Sequence, residues 1–152
     1  MTIKIKKIGI IFFLICAIFS CKKKAAEEPA PKENLSIEFV SISPSSAKEY
    51  SDSIAITFSY DDLDGDLGQN DPNVTNLFVT DSRNSVEYQY RISQLAPSGS
   101  NIHIKGKLNV VIKNTAITNG STSQSVSYSV YCKDRAGNRS NTITSSSITV
   151  VK

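Results

Sequence analysis

Tryptophan is absent from this 152-residue chain, and histidine occurs once, as His103. Without tryptophan a core lacks its usual large central side chain, and a sugar ring has no indole platform to stack on. Carbohydrate recognition would have to rely on Tyr50 and Tyr131, and ranks behind other binding functions. A hydrolytic zinc site needs histidine or cysteine ligands, and one histidine with Cys16, Cys21 and Cys132 is too few. His103 falls on the outward side of the alternation in NIHIKGK, and Glu38, Glu49 and Glu87 are scattered. Neither a general base nor a glycosidase carboxylate pair is indicated, and the chain reads as a non-enzyme.

Long hydrophobic runs are missing too. A spanning helix takes about 20 apolar residues, but the longest run, Ile8 to Phe19, ends at Ser20 and Cys21 and is followed by Lys22, Lys23 and Lys24. Lys4, Lys6 and Lys7 precede it, giving the charged start and short apolar centre of a secretory signal. The residues Ile18, Phe19, Ser20 and Cys21 resemble the lipobox of bacterial lipoproteins. That resemblance implies a signal peptide over residues 1–20, cleavage before Cys21 and lipidation of its thiol by acyl chains such as palmitate. Lys22, rather than Asp, follows the cysteine, which in such lipoproteins implies an outer-membrane address, periplasmic or surface-facing.

Cleavage changes the arithmetic of charge and cysteine. The 17 basic residues become 14 against 14 acidic ones, so the mature chain is near neutral and no basic face for nucleic acid is expected. Cys16 leaves with the signal, Cys21 carries lipid and Cys132 stands alone, so no intramolecular disulfide framework is expected. Residues 21–33, ending KKKAAEEPAPKE, read as the lipidated cysteine and a flexible tether. Residues 34–152 are long enough for one domain.

No helical period is convincing in that domain. Apolar residues alternate in short runs separated by Asn, Asp, Gly, Pro and Ser, the pattern of an all-β sandwich. Strands are expected over residues 35–43, 53–60, 75–80, 85–93, 102–113, 124–132 and 142–151, with core stripes on Ile54, Ile56, Phe58 and Tyr60, on Val86, Tyr88, Tyr90 and Ile92, and on Ile102, Ile104, Leu108, Val110 and Ile112. Seven strands suit an immunoglobulin-like sandwich. The stretch SYSVYCKDRAGNRS, with Tyr128, Cys132, Gly137 and Ser140, resembles the F strand and F–G loop of fibronectin type III and bacterial Ig-like domains.

The stretch FSYDDLDGDLGQNDPNV, residues 58–74, contains Asp61, Asp62, Asp64, Asp66 and Asp71, yet no Lys or Arg occurs from residue 49 through 82. Carboxylates that converge in an ordered loop repel one another. Asp62, Asp64 and Asp66 have the DxDxD spacing of a calcium loop, and Gly65 lets the chain fold inward. Leu67 and Asn73 stand where an EF-hand wants Gly and Glu, so the motif is read as a sandwich-loop calcium site; DGDLG also resembles a loop of small bacterial lipoproteins with Ig-like domains. Ig-like topology places this B–C loop beside the F–G loop, so the expected calcium ligands are Asp62, Asp64, Asp66, Asp71 and Asp134. The bland alternative is that these aspartates are solvated turn formers and Asp134 makes only an Asx-turn.

A lipid-anchored, calcium-stabilised binding or accessory module of the cell envelope is the function expected, with an unidentified protein or glycan ligand. The alternatives are a structural subunit that offers the acidic loop to a basic protein, and a carbohydrate-binding module. Asp52-Ser53-Ile54 resembles an acceptor for O-glycosylation in some Gram-negative lineages, which implies Ser53 as the modified residue.

Overall fold

A computed structural model describes residues 34–152. The expected signal segment 1–20, Cys21 and the tether through residue 33 lie outside the described residues. Those described form ten strands and no helix: β1 Leu35–Ser43, β2 Ser46–Lys48, β3 Ile54–Asp62, β4 Leu77–Asp81, β5 Glu87–Tyr90, β6 Ile104–Ile112, β7 Ser123–Val126, β8 Tyr128–Cys132, β9 Ile143–Thr144 and β10 Ile148–Val151. They make three sheets in the orders β1-β3-β6, β2-β10-β7 and β5-β4-β8-β9. Every pairing is antiparallel except β2 with β10.

The count exceeds seven because two expected strands are interrupted and β2 was not anticipated. The stretch 124–132 breaks at Ser127, whose carbonyl accepts from Ser82 N and whose N–H donates to Ser82 Oγ. Opposite it, Ser145 Oγ accepts from Tyr128 N, so the stretch 142–151 breaks at the same level. Strand β5 is shorter than expected because Ser85 adopts a left-handed φ of 59° and returns its N–H to Asp81.

Alternation puts Ile54, Ile56 and Phe58 of β3, Val110 and Ile112 of β6, and Tyr128, Val130 and Cys132 of β8 into one buried cluster with Leu35, Ile37, Leu77, Val79, Val126, Ile148 and Val150. Two expected core residues are corrected. Val86 precedes β5 and Ile102 precedes β6, and both are exposed. Tyr60, Tyr88, Tyr90 and Leu108 only pack against the cluster from its margin. Among the described residues this core joins strands of all three sheets in one continuous apolar interior, which is the driving force residues 34–152 have for folding.

Candidate metal centre

Strand β3 runs two residues past the expected end, and its pleat separates the first two aspartates. Asp62 continues the inward series Ile54, Ile56, Phe58 and is fully buried, whereas Asp61 points outward. Asp61 bonds Lys105 Nζ at 2.7 Å and His103 Nε2 at 2.5 Å. The hydrogen bond from Lys105, and then that from His103, holds its carboxyl below the usual range. One of the five carboxylates is therefore paired with a lysine of β6.

Asp62 organises the loop that follows. Its Oδ1 accepts from Gly65 N (3.1 Å) and its Oδ2 from Leu67 N (2.8 Å). The bend takes Gly65 and Gly68 to φ of 71° and 81°, and a Cβ on either would meet a backbone oxygen, of Ile102 at 2.3 Å or of Ser93 at 2.2 Å. Only glycine fits both demands. Leu67, between them, is fully buried and bridges Asp134 in antiparallel fashion, which anchors the loop to the segment after β8.

Asp64 and Asp66 are drawn in beside Asp62, and one carboxylate oxygen from each of the three lies within 4.8 Å of the others. Asp64 Oδ2 accepts from Asn34 Nδ2 (3.4 Å), and Asp66 Oδ2 accepts from Ala136 N (3.2 Å). The remaining oxygens, Asp64 Oδ1 and Asp66 Oδ1, are buried and have no hydrogen-bond partner among the described residues. Among the described residues, no Lys, Arg or His nitrogen pairs with these three carboxylates. The nearby Arg135 guanidinium instead donates to the carbonyls of Gly68 and Gly65, at 2.7 and 3.1 Å. Burial first, then the charges of Asp134 and Asp64, pushes the Asp66 carboxyl up to about 6. Burial also raises Asp62. Two unit charges 4.8 Å apart repel by about 3 kcal/mol at an effective dielectric constant near 20. This cluster of three aspartates can hold a metal ion.

The other two expected ligands are occupied differently. Asp71 is exposed and is not part of the cluster; its Oδ1 accepts from both the N–H and the Nδ2 of Asn73. Asp134 is buried close enough to raise Asp66, but its two oxygens accept from Asn138 N and Nδ2, each at 2.7 Å. Ser53 is exposed immediately before β3. Cys132 is fully buried, and burial pushes its thiol up to about 12, so it has no thiolate to offer at neutral pH.

Sequence reasoning missed Asn34, Arg135 and the Ala136 N–H. The absence of any cation from residue 49 through 82 left solvent, distant chain or a bound cation to answer the charge, and Arg135 of DRAGN reaches the loop's carbonyls rather than its carboxylates. No known protein family matches this chain, and no match is found among curated proteins or solved structures.

Proposed function

We propose that the chain is a lipid-anchored, calcium-stabilised Ig-like module of the bacterial cell envelope, acting in binding or assembly rather than catalysis. The observation that carries the calcium reading is the pair of buried, unpartnered oxygens on Asp64 and Asp66 beside the fully buried Asp62. Calcium takes oxygen ligands at 2.3–2.6 Å, so two ligands of one ion are up to about 5.2 Å apart. Magnesium, at 2.0–2.1 Å, allows only about 4.2 Å and demands stricter geometry. Oxygens within 4.8 Å of one another lie inside the span that calcium accepts. Burial also favours a small ion over the lysine of a basic partner, which is the rival reading of the acidic loop.

The Ig-like assignment treats β7 with β8, β9 with β10, and β1 with β2 as three strands, each interrupted once. The remaining β3, β4, β5 and β6 bring the number to seven. In that arrangement the Asn34 carbonyl accepts from Leu63 N and the Asn34 side-chain amide donates to Asp64 Oδ2. The ion would then stiffen the end of the domain that faces the tether and the membrane.

Calcium binding must displace the proton that the metal-free site favours. Asp66 is raised from 3.8 to about 6, so its contribution to metal-free stability is full below 3.8 and is lost as pH rises through about 6. Asp62 has the same sign. Asp61 is lowered, and its contribution is lost only on acidification below about 4. Between pH 7 and 5 the protein in EDTA is therefore expected to gain melting temperature, while the calcium-saturated protein, whose carboxylates are ionised in both folded and unfolded states, stays nearly constant and binds the ion up to about tenfold more weakly per pH unit. Parallel pH trends with and without calcium would remove the metal from this site.

The anchor has its own test. In a Gram-negative host, labelled palmitate is expected on the full chain and in the membrane fraction, and Cys21→Ser is expected to lose both. Labelling that survives the substitution would refute attachment through Cys21.

A further inference from the structure

Strand β6 pairs only with β3, and no hydrogen bond from a described residue reaches its other edge. Nine residues, Ile104–Ile112, thus present a row of open backbone donors and acceptors, one set at every second residue. Beside that edge, between β6 and the chain leaving β5, lies a groove of about 430 Å³ lined by Leu77, Tyr90, Ile92, Leu95, Leu108 and Val110. Leu95 and Val111 at its rim are 36% and 41% exposed. An open edge with an adjoining apolar slot has the two components of strand addition: backbone bonds for affinity and a pocket for alternate side chains.

Charge selects the occupant. From residue 88 through 133 there is no Asp or Glu, while Arg91, Lys105, Lys107, Lys113 and Lys133 all occur there. Lys105 is balanced by Asp61, but Lys107 makes no ion pair among the described residues. Lysines on an open edge repel a second copy of the same edge. They attract a strand of opposite sign.

We propose that the β6 edge and its groove bind an extended, acidic polypeptide segment by β-augmentation, its apolar residues entering the groove and its carboxylates meeting Lys107 and Lys113. The groove adjoins the aspartate loop, since Leu95 N donates to Leu67 O and Asp62 pairs in register with Ile104, but none of the three clustered aspartates lines it.

Fluorescence anisotropy with residues 34–152 tests this, using probes of roughly ten residues to match the strand. One alternates Glu and Val, the second replaces Glu by Lys, and the third carries a central Pro in the Glu–Val sequence. The Glu–Val probe is expected to bind and to protect β6 amides from hydrogen exchange. Pro is expected to weaken it about tenfold or more by removing a ladder bond and bending the strand. Lys107→Glu, at an exposed position, is expected to reverse the preference toward the Lys–Val probe. Absence of Glu–Val binding, equal binding of the Pro probe, or self-association through β6 would overturn the proposal. So would loss of binding when residues 22–33 are added, since the chain's own segment would then be the occupant.

Discussion

Calcium in a hundredfold excess over its dissociation constant is expected to raise the melting temperature of residues 34–152 by roughly 10 °C. Mass action supplies about 2.7 kcal/mol at that excess, and a domain of this size gains roughly 4 °C per kcal/mol. The physical source is relief of three mutually repelling carboxylates and of the two orphaned oxygens on Asp64 and Asp66. The double variant Asp64→Asn, Asp66→Asn removes two charges while keeping an acceptor at each position. It is expected to melt higher than the wild type in EDTA and to ignore calcium. Asp62→Asn is a poorer probe, because an amide can accept from only one of the Gly65 and Leu67 N–H groups without facing donor to donor. Superimposable melting curves in EDTA and calcium, or a calcium shift retained by the double variant, would sink the site.

How much of this was legible in the sequence depends on whether period-two alternation was the deciding variable. It was for β1, for β3 and for the buried faces of β6 and β8, where apolar residues recur at every second position. It could not reveal the break at Ser127. Val126, Tyr128, Val130 and Cys132 keep their alternation through that point, and the interruption is a change of backbone partner. Nor could it exclude Val86 and Ile102, which have the right parity but sit one and two residues outside their strands. Parity describes a side chain only while the chain remains extended.

The site shows the same division. DxDxD spacing brought Asp62, Asp64 and Asp66 together, and extending the β3 alternation by one step separates buried Asp62 from exposed Asp61. Asp71 and Asp134 were distinguishable in principle, since each is followed by an asparagine, Asn73 or Asn138, that takes its side chain into a local turn. What no local reading could supply are contacts set by tertiary folding: Asn34 on Asp64, thirty residues away, and Ala136 N on Asp66, seventy away.

Arg83→Met is expected to cost about 3–5 kcal/mol, the penalty for leaving a buried ionic partner uncompensated. Asp81 and Arg83 have side-chain exposures of 1% and 6%, and are joined at 2.7 Å between Asp81 Oδ2 and the guanidinium. The guanidinium also donates to Ala116 O at 2.7 Å and to Gln124 Oε1 at 3.3 Å, tying the β4–β5 turn to the chain after β6 and to β7. Without it, the Asp81 carboxylate keeps, among the described residues, only the backbone N–H of residue 83 as a donor, at 2.9 Å. Urea denaturation at neutral pH should therefore show a lower midpoint for the single variant. Adding Asp81→Asn should restore part of the loss at neutral pH, because a buried amide costs less than a buried charge. A loss below about 1 kcal/mol, or a double variant no better than the single, would mean that the pair is solvated in solution. Asp81 aligns with Tyr128, while the aspartate cluster lies beyond the Leu77–Cys132 end of the same strand pair. Distant, independent changes add, so Arg83→Met is expected to lower stability equally in EDTA and in calcium, leaving the calcium-induced shift intact.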